Sequence, residues 1–290
     1  MLSTRTGGFA IGFRRGWSDW QKDLPSLIEW SKANNLGVID LGRDGDTSAK
    51  SVVDAGLTVG SVDLAEWQGM ISADASKRKD AVQRNAEYVA ACAAAGAYNH
   101  FLVMLPEDAS KNRAENFGYM VDSLNALSPS LEKHGARLVI EGWPGPGALV
   151  CTPEGYRACF DHCPSPSIGV NYDPSHLVRM GIDPIRFVGE FKDRIYHIHG
   201  KDTEIIDQAL YEFGTEQPAT FAKGHGFGAH HWRYTIPGHG GIRWMEAFAI
   251  LAKNGYKGAV SIELEDENFN GSESGEKEGI LAGAAFLASC

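Results

Sequence analysis

The chain has 290 residues, 43% of them apolar and 22% charged, with a formal net charge of -10. That balance describes a globular chain with an ample core and argues against a nucleic-acid backbone or an anionic membrane surface as default partner. No apolar run approaches the roughly 20 residues that span a bilayer, residues 1–8 lack the charged-then-apolar order of a signal peptide, and five sparse cysteines, an odd number, fit a reduced, cytoplasmic protein.

Short apolar runs alternate with longer amphipathic ones. Eight runs read as strands: residues 9–13, 37–41, 57–64, 100–105, 137–141, 168–173, 194–199 and 258–263. Several are continuous in Val, Ile and Leu, as strands buried on both faces should be. Residues 17–34 read as a helix with Ser18 as N-cap before Leu24, Leu27, Ile28 and Trp30. Residues 73–95 are alanine-rich and end at Gly96, a C-cap. Residues 115–133 carry Met120, Leu124, Leu127 and Leu131 at helical spacing, and 152–161 open Thr-Pro-Glu, a cap with proline in the first turn. Helices over 184–191, 242–254 and 273–289 complete the alternation.

Strands alternating with helices in this number predict one (β/α)8 barrel, a TIM barrel filling 1–290, rather than an open doubly wound sheet. One connection departs from the pattern. Residues 200–241 hold His225, His230, His231, Trp232 and Arg233, and a connection of that length predicts an active-site lid or binding element. Its Gly224-His-Gly-Phe-Gly228 core could hinge.

Four strand runs end in a carboxylate or histidine: Glu141, Asp173, His199 and Glu263. A closed parallel barrel gathers the C-terminal ends of its strands around one point. Side chains alternate faces, so Val139 shares a face with Glu141, Asn171 with Asp173, His197 with His199 and Ser261 with Glu263. If the last member of each pair faces the axis, the four converge. One strand-end carboxylate alone is more often a surface residue. Several together at a buried end are costly unless paired or metal-bound. The expected occupant is one divalent cation, Mn²⁺ first, with Mg²⁺, Co²⁺ or Zn²⁺ as alternatives.

Around that centre lie weaker signals. His176 follows Asp173 by one turn and reads as a substrate hydrogen-bonding group or a helix-cap histidine, with Ser175 as a cap for the next helix. His197 reads as a support for His199 or a satisfied core histidine. Arg233 could clamp a substrate oxygen or be a solvated lid arginine. Lys201 and Asp202, at the rim, could bind substrate or salt-bridge one another. Glu66 and Trp143 follow the third and fifth strand runs and are candidate substrate walls, as aromatic residues often are in carbohydrate sites. Cys159 and Cys163 read as free helical thiols, and no phosphate-cradling or dinucleotide motif is present.

Taken together these motifs resemble the sugar isomerase/epimerase superfamily with the xylose isomerase-like barrel, and within it the ketose 3-epimerases of the D-tagatose 3-epimerase type. The resemblance runs over nearly the whole chain in element order. It is carried by Glu141, Asp173-x-x-His176, His197-Ile-His199, Arg233 before Pro237-Gly-x-Gly240 with Trp244, and Glu263. It implies that Glu141, Asp173, His199 and Glu263 are metal ligands, that Glu141 and Glu263 double as the acid/base pair, and that His176 and Arg233 hold substrate oxygens. It also implies a dimer or tetramer. Two features depart from those epimerases: residues 200–232 separate His199 from Arg233 where they have a short stretch, and position 147 is Gly where they carry a glutamate. The expected activity is that of a divalent-metal-dependent sugar or keto-sugar isomerase or epimerase working through an enediolate. The alternative is a lyase or dehydratase acting on a keto-sugar or keto-glycoside with the same metal site, which the long lid favours. An apurinic-site endonuclease is disfavoured by the acidic charge and single tetrad. A non-catalytic sugar-binding barrel is disfavoured because no ligand is missing.

Overall fold

The computed structural model describes residues 1–290. Ten strands form: β1 (Ile11–Arg14), β2 (Val38–Leu41), β3 (Thr58–Asp63), β4 (Asn99–Val103), β5 (Arg137–Glu141), β6 (Ile168–Tyr172), β7 (Ile195–Gly200), β8 (Asp202–Ile205), β9 (Trp232–Thr235) and β10 (Val260–Ile262). Eight of them hydrogen-bond in the closed order β1-β10-β7-β6-β5-β4-β3-β2. These are the eight runs expected from the sequence, and the (β/α)8 barrel is confirmed. The remaining two, β8 and β9, form a separate antiparallel pair. The 200–241 connection is therefore built on a hairpin-like base rather than being wholly irregular, and α9 (Asp207–Phe213) lies within it.

The other helices are α1 (Asp19–Lys22), α2 (Leu24–Ala33), α3 (Gly45–Asp54), α4 (Ala75–Ala94), α5 (Arg113–Lys133), α6 (Pro153–His162), α7 (Pro174–Arg179), α8 (Pro184–Phe191), α10 (Trp244–Lys253) and α11 (Glu273–Ser289). Residues 17–34 are two helices, not one. Asp23 is extended, and Pro25 opens α2 in its first turn, where a missing N–H costs nothing; inside a continuous helix it would have removed a hydrogen bond and clashed with the preceding turn. Thr152 caps α6 as expected, and Asp74 and Asn112 likewise accept from the first-turn N–H groups of α4 and α5; Ser18 precedes α1 without capping it, because its hydroxyl donates to Glu276 Oε1 at 2.6 Å. No helix is long and apolar enough to cross a membrane.

By contacts the chain divides into two compact units. One comprises Met1–Val38, Asp173–Glu190 and Ile198–Cys290. In it β10 pairs with β1 (Gly12 opposite Ser261) and with β7 (Ser261 opposite His199). Phe9 packs edge-on against Phe248 and Tyr256, with centroids 5.6 Å and 4.9 Å away, and Phe13 against Trp30 at 5.4 Å. The other unit comprises Ile39–Tyr172 and Phe191–His197. Its β3–β6 ladder is parallel, with Val103 opposite Glu141 and Glu141 opposite Asn171. Val89, Leu124, Leu127, Leu131, Leu138 and Ile140 are fully buried there.

Candidate metal centre

Asp173 leaves β6 and becomes the N-cap of α7. Its Oδ1 accepts the Ser175 backbone N–H at 2.9 Å and the Ser175 hydroxyl at 2.6 Å. The cap is thus Asp173 rather than Ser175, and it fixes one carboxylate oxygen while leaving Oδ2 aimed inward, buried and accepting no hydrogen bond. The charged neighbours of that oxygen are Lys201 Nζ at 3.2 Å and His176 Nε2 at 3.3 Å. His176, one helical turn on, is 1% exposed. Its Nδ1 lies 2.6 Å from the Tyr234 hydroxyl, which also accepts from Arg179 at 2.6 Å. Burial raises the Tyr234 phenol well above its ordinary range despite the nearby Lys201 and Arg179, so it stays protonated.

Glu263 follows β10. Its Oε1 sits 3.2 Å from Arg14 Nε, and its Oε2 sits 3.5 Å from His199 Nδ1 and 2.5 Å from Lys201 Nζ. Burial opposes ionisation, but Lys201, His199 and Arg14 outweigh it and hold the Glu263 carboxyl well below the usual carboxylate range. A cavity of about 180 Å³ opens beside it, with Arg14, Arg15, Trp17, Phe227 and Glu265 in its wall. Lys201 also reaches Glu265 Oε2 at 2.9 Å and lies 4.6 Å from the centre of the Tyr234 ring.

Lys201 does not pair with Asp202, because neighbouring residues of an extended chain point to opposite sides. Asp202 is buried and accepts from the N–H groups of Thr203 (2.9 Å), Gly238 (3.2 Å) and Ile242 (3.1 Å) and from the Trp244 indole (3.2 Å). This explains the glycines of the Pro237-Gly-x-Gly240 motif: Gly238 has φ +93, and a Cβ on Gly240 would overlap the Asp202 carboxylate. Arg233 stands opposite Glu204 in the β8–β9 pair and donates to its Oε2 at 2.7 Å.

In the second unit, the β5–β6 register sets Asn171 beside Glu141, and its amide donates to Glu141 Oε2 at 2.8 Å. His197 Nε2 lies 2.7 Å from Asp40 Oδ2, whose other oxygen accepts the Ser61 N–H at 3.1 Å. Asp40 is the residue the sequence reading missed; an acid inside the buried run Val38-Ile-Asp-Leu41 was the available signal. Trp143 is half-buried with its ring folded over Gly145. Glu66 is exposed and faces Arg84 at 3.5 Å.

Within the first unit, Asp173, His176 and Glu263 each bring one ligand atom to within 4.8 Å of the others. Two carboxylates and an imidazole suit a hard or borderline divalent cation, and the buried Asp173 Oδ2, which accepts no hydrogen bond, is available as a ligand atom.

Residues 27–290 match the model of the family described as xylose isomerase-like TIM barrel. The chain is 29% identical over 153 residues to the inosose dehydratase of Bacillus thuringiensis (strain Al Hakam), a match covering 53% of this chain and 48% of that one. Aligned segments span between 32% and 48% of the length of the curated relatives compared. The crystal structure of 3-keto-D-glucoside 4-epimerase from E. coli superposes with a TM-score of 0.69 at 13% identity, over 97% of this chain and 100% of that one. D-psicose 3-epimerase of Clostridium cellulolyticum H10 gives 0.69 at 15% identity, with the same coverage. At these identities the likeness to the two structures is one of fold.

Proposed function

The chain belongs to the xylose isomerase-like TIM-barrel family, and from that premise we propose that it is a divalent-metal-dependent sugar or keto-sugar isomerase or epimerase working through an enediolate. The observation that carries this reading is the meeting of Asp173, His176 and Glu263 within 4.8 Å. In this proposal Asp173, His199 and Glu263 hold the cation, with Glu141 as the fourth ligand that the family resemblance implies. The bound cation supplies Lewis-acid polarisation of a substrate carbonyl, which acidifies the neighbouring C–H.

The remaining chemistry belongs to side chains. Glu141 and Glu263 are the acid/base pair: one removes the proton next to the carbonyl, and the other returns a proton from the opposite face or to the adjacent carbon. Asn171 orients Glu141 through its amide, and Arg14, 3.2 Å from Glu263 Oε1, keeps Glu263 ionised and ready to accept. His176, held by Tyr234, and Trp143 contact the sugar. Arg233 acts from the lid base through Glu204, and Glu66 stays with Arg84.

The test is solvent exchange. With Mn²⁺ and a panel of keto-sugars in D2O, converted sugar should carry deuterium at the carbon next to the carbonyl, read by NMR; conversion without solvent label overturns the enediolate route.

A second reading is a lyase or dehydratase, which the similarity to an inosose dehydratase favours. The same proton abstraction would then expel a β-hydroxyl or aglycone. Product mass separates the two: isomers alone reject elimination, and loss of water or of an aglycone rejects isomerisation.

A further inference from the structure

The candidate centre contains a cation of the protein's own. Lys201 is 1% exposed, and its ammonium has three carboxylate neighbours: Glu263 Oε2 at 2.5 Å, Glu265 Oε2 at 2.9 Å and Asp173 Oδ2 at 3.2 Å. The face of Tyr234 closes a fourth side, 4.6 Å from Nζ to the ring centre. Two of these carboxylates, Asp173 and Glu263, belong to the group proposed above to hold a divalent ion. Glu265 does not.

An oxygen that binds a divalent ion at about 2–2.6 Å cannot keep an ammonium at salt-bridge distance on the same side without strong like-charge repulsion. The lysine must then move. Its stem is a flexible four-carbon chain, and Glu265, whose side chain is 36% exposed, offers a seat further from the ligands. Glu265 already meets the ammonium at 2.9 Å, so it can keep it without a backbone shift.

We propose that Lys201 is an internal counter-cation that competes with the divalent ion for Asp173 and Glu263, and withdraws onto Glu265 when the ion binds. This rests on the metal reading of the same site. In the metal-free protein the lysine neutralises carboxylates that would otherwise repel one another. Apparent metal affinity is then the intrinsic affinity reduced by the fraction of molecules whose lysine has withdrawn.

The experiment titrates the purified full chain with Mn²⁺ alone, counting free ion by EPR and heat by calorimetry, for wild type, Lys201→Met and Glu265→Gln. Removing the competitor should tighten Mn²⁺ binding about tenfold or more, and removing the alternative seat should weaken it several-fold. Thermal unfolding run in parallel identifies a variant that fails to fold; if Lys201→Met does so, the Glu265→Gln result decides. Wild type that binds Mn²⁺ together with Lys201→Met that binds it no tighter, or Glu265→Gln that binds it no more weakly, overturns the competition while leaving the metal reading intact. Failure of both wild type and Lys201→Met to take up Mn²⁺ overturns the metal reading and the competition with it.

Discussion

The indole N–H of Trp244 donates to Asp202 Oδ2 across 3.2 Å, tying the start of α10 to the start of β8. The same carboxylate also gathers three backbone N–H groups, from Thr203, Gly238 and Ile242. One buried acid therefore holds the glycine-rich turn that closes the 200–241 connection.

Asp202→Ala leaves those four donors without their acceptor. A buried donor left unsatisfied costs about 1–3 kcal/mol, so a loss of about 3 kcal/mol or more is expected in urea unfolding. Asp202→Asn keeps one acceptor oxygen and should lose less. A loss below about 1 kcal/mol for the alanine variant would show that the turn holds itself.

His100 sits on β4, fully buried, with neither ring nitrogen hydrogen-bonded and its ring edge-on to Tyr88 at 5.8 Å. Burial lowers its pKa from 6.5 to about 4. The unfolded chain therefore binds a proton that the folded chain refuses, and stability falls as pH drops from about 6.5 toward about 4. The two-and-a-half-unit gap is worth about 3 kcal/mol across that window. His100→Leu should flatten this part of the stability–pH curve in denaturant titrations at pH 7, 5.5 and 4.5; an unchanged slope assigns acid sensitivity elsewhere.

Glu267, just beyond β10, anchors the 200–241 connection. Its Oε1 meets His225 Nδ1 at 2.7 Å, and its Oε2 accepts the Gly226 N–H at 2.8 Å. Glu267→Gln weakens both contacts, and local opening then exposes the neighbouring backbone. Trypsin should cut after the exposed Lys223 several-fold faster in the variant, followed by mass spectrometry. Equal cleavage rates would mean that the β8–β9 pair alone anchors this connection.

The barrel strands could be read in the sequence because each is a short apolar run with a turn at both ends. The strand-end acids Glu141, Asp173 and Glu263 were legible for the same reason: a charge closing a buried run stands out. Asp40 did not stand out, since its partner His197 is 157 residues away and no local pattern joins them. Of the two readings open for Lys201, the salt bridge with Asp202 does not form, because its ion-pair partners come from positions 173, 263 and 265, which no local pattern joins to it. Helix α3 was also invisible. Gly45-Asp-Thr-Ser favours caps and turns, and the helix forms because Ala49 and Val52 are buried against the fold.

The proposed division of labour between Glu141 and Glu263 makes the last prediction. If each carboxylate serves one face of the substrate, Glu141→Gln leaves Glu263 able to abstract from one epimer but removes the group that completes inversion. Conversion should then drop by about 10²–10⁴-fold, while proton exchange with D2O persists for one epimer and is lost for the other. Glu263→Gln should show the opposite preference. Both carboxylates also sit in the proposed metal group, so Mn²⁺ content is measured on each variant before exchange is scored. A metal-loaded variant that loses exchange with both epimers equally would reject the two-face division and assign proton abstraction to a single carboxylate.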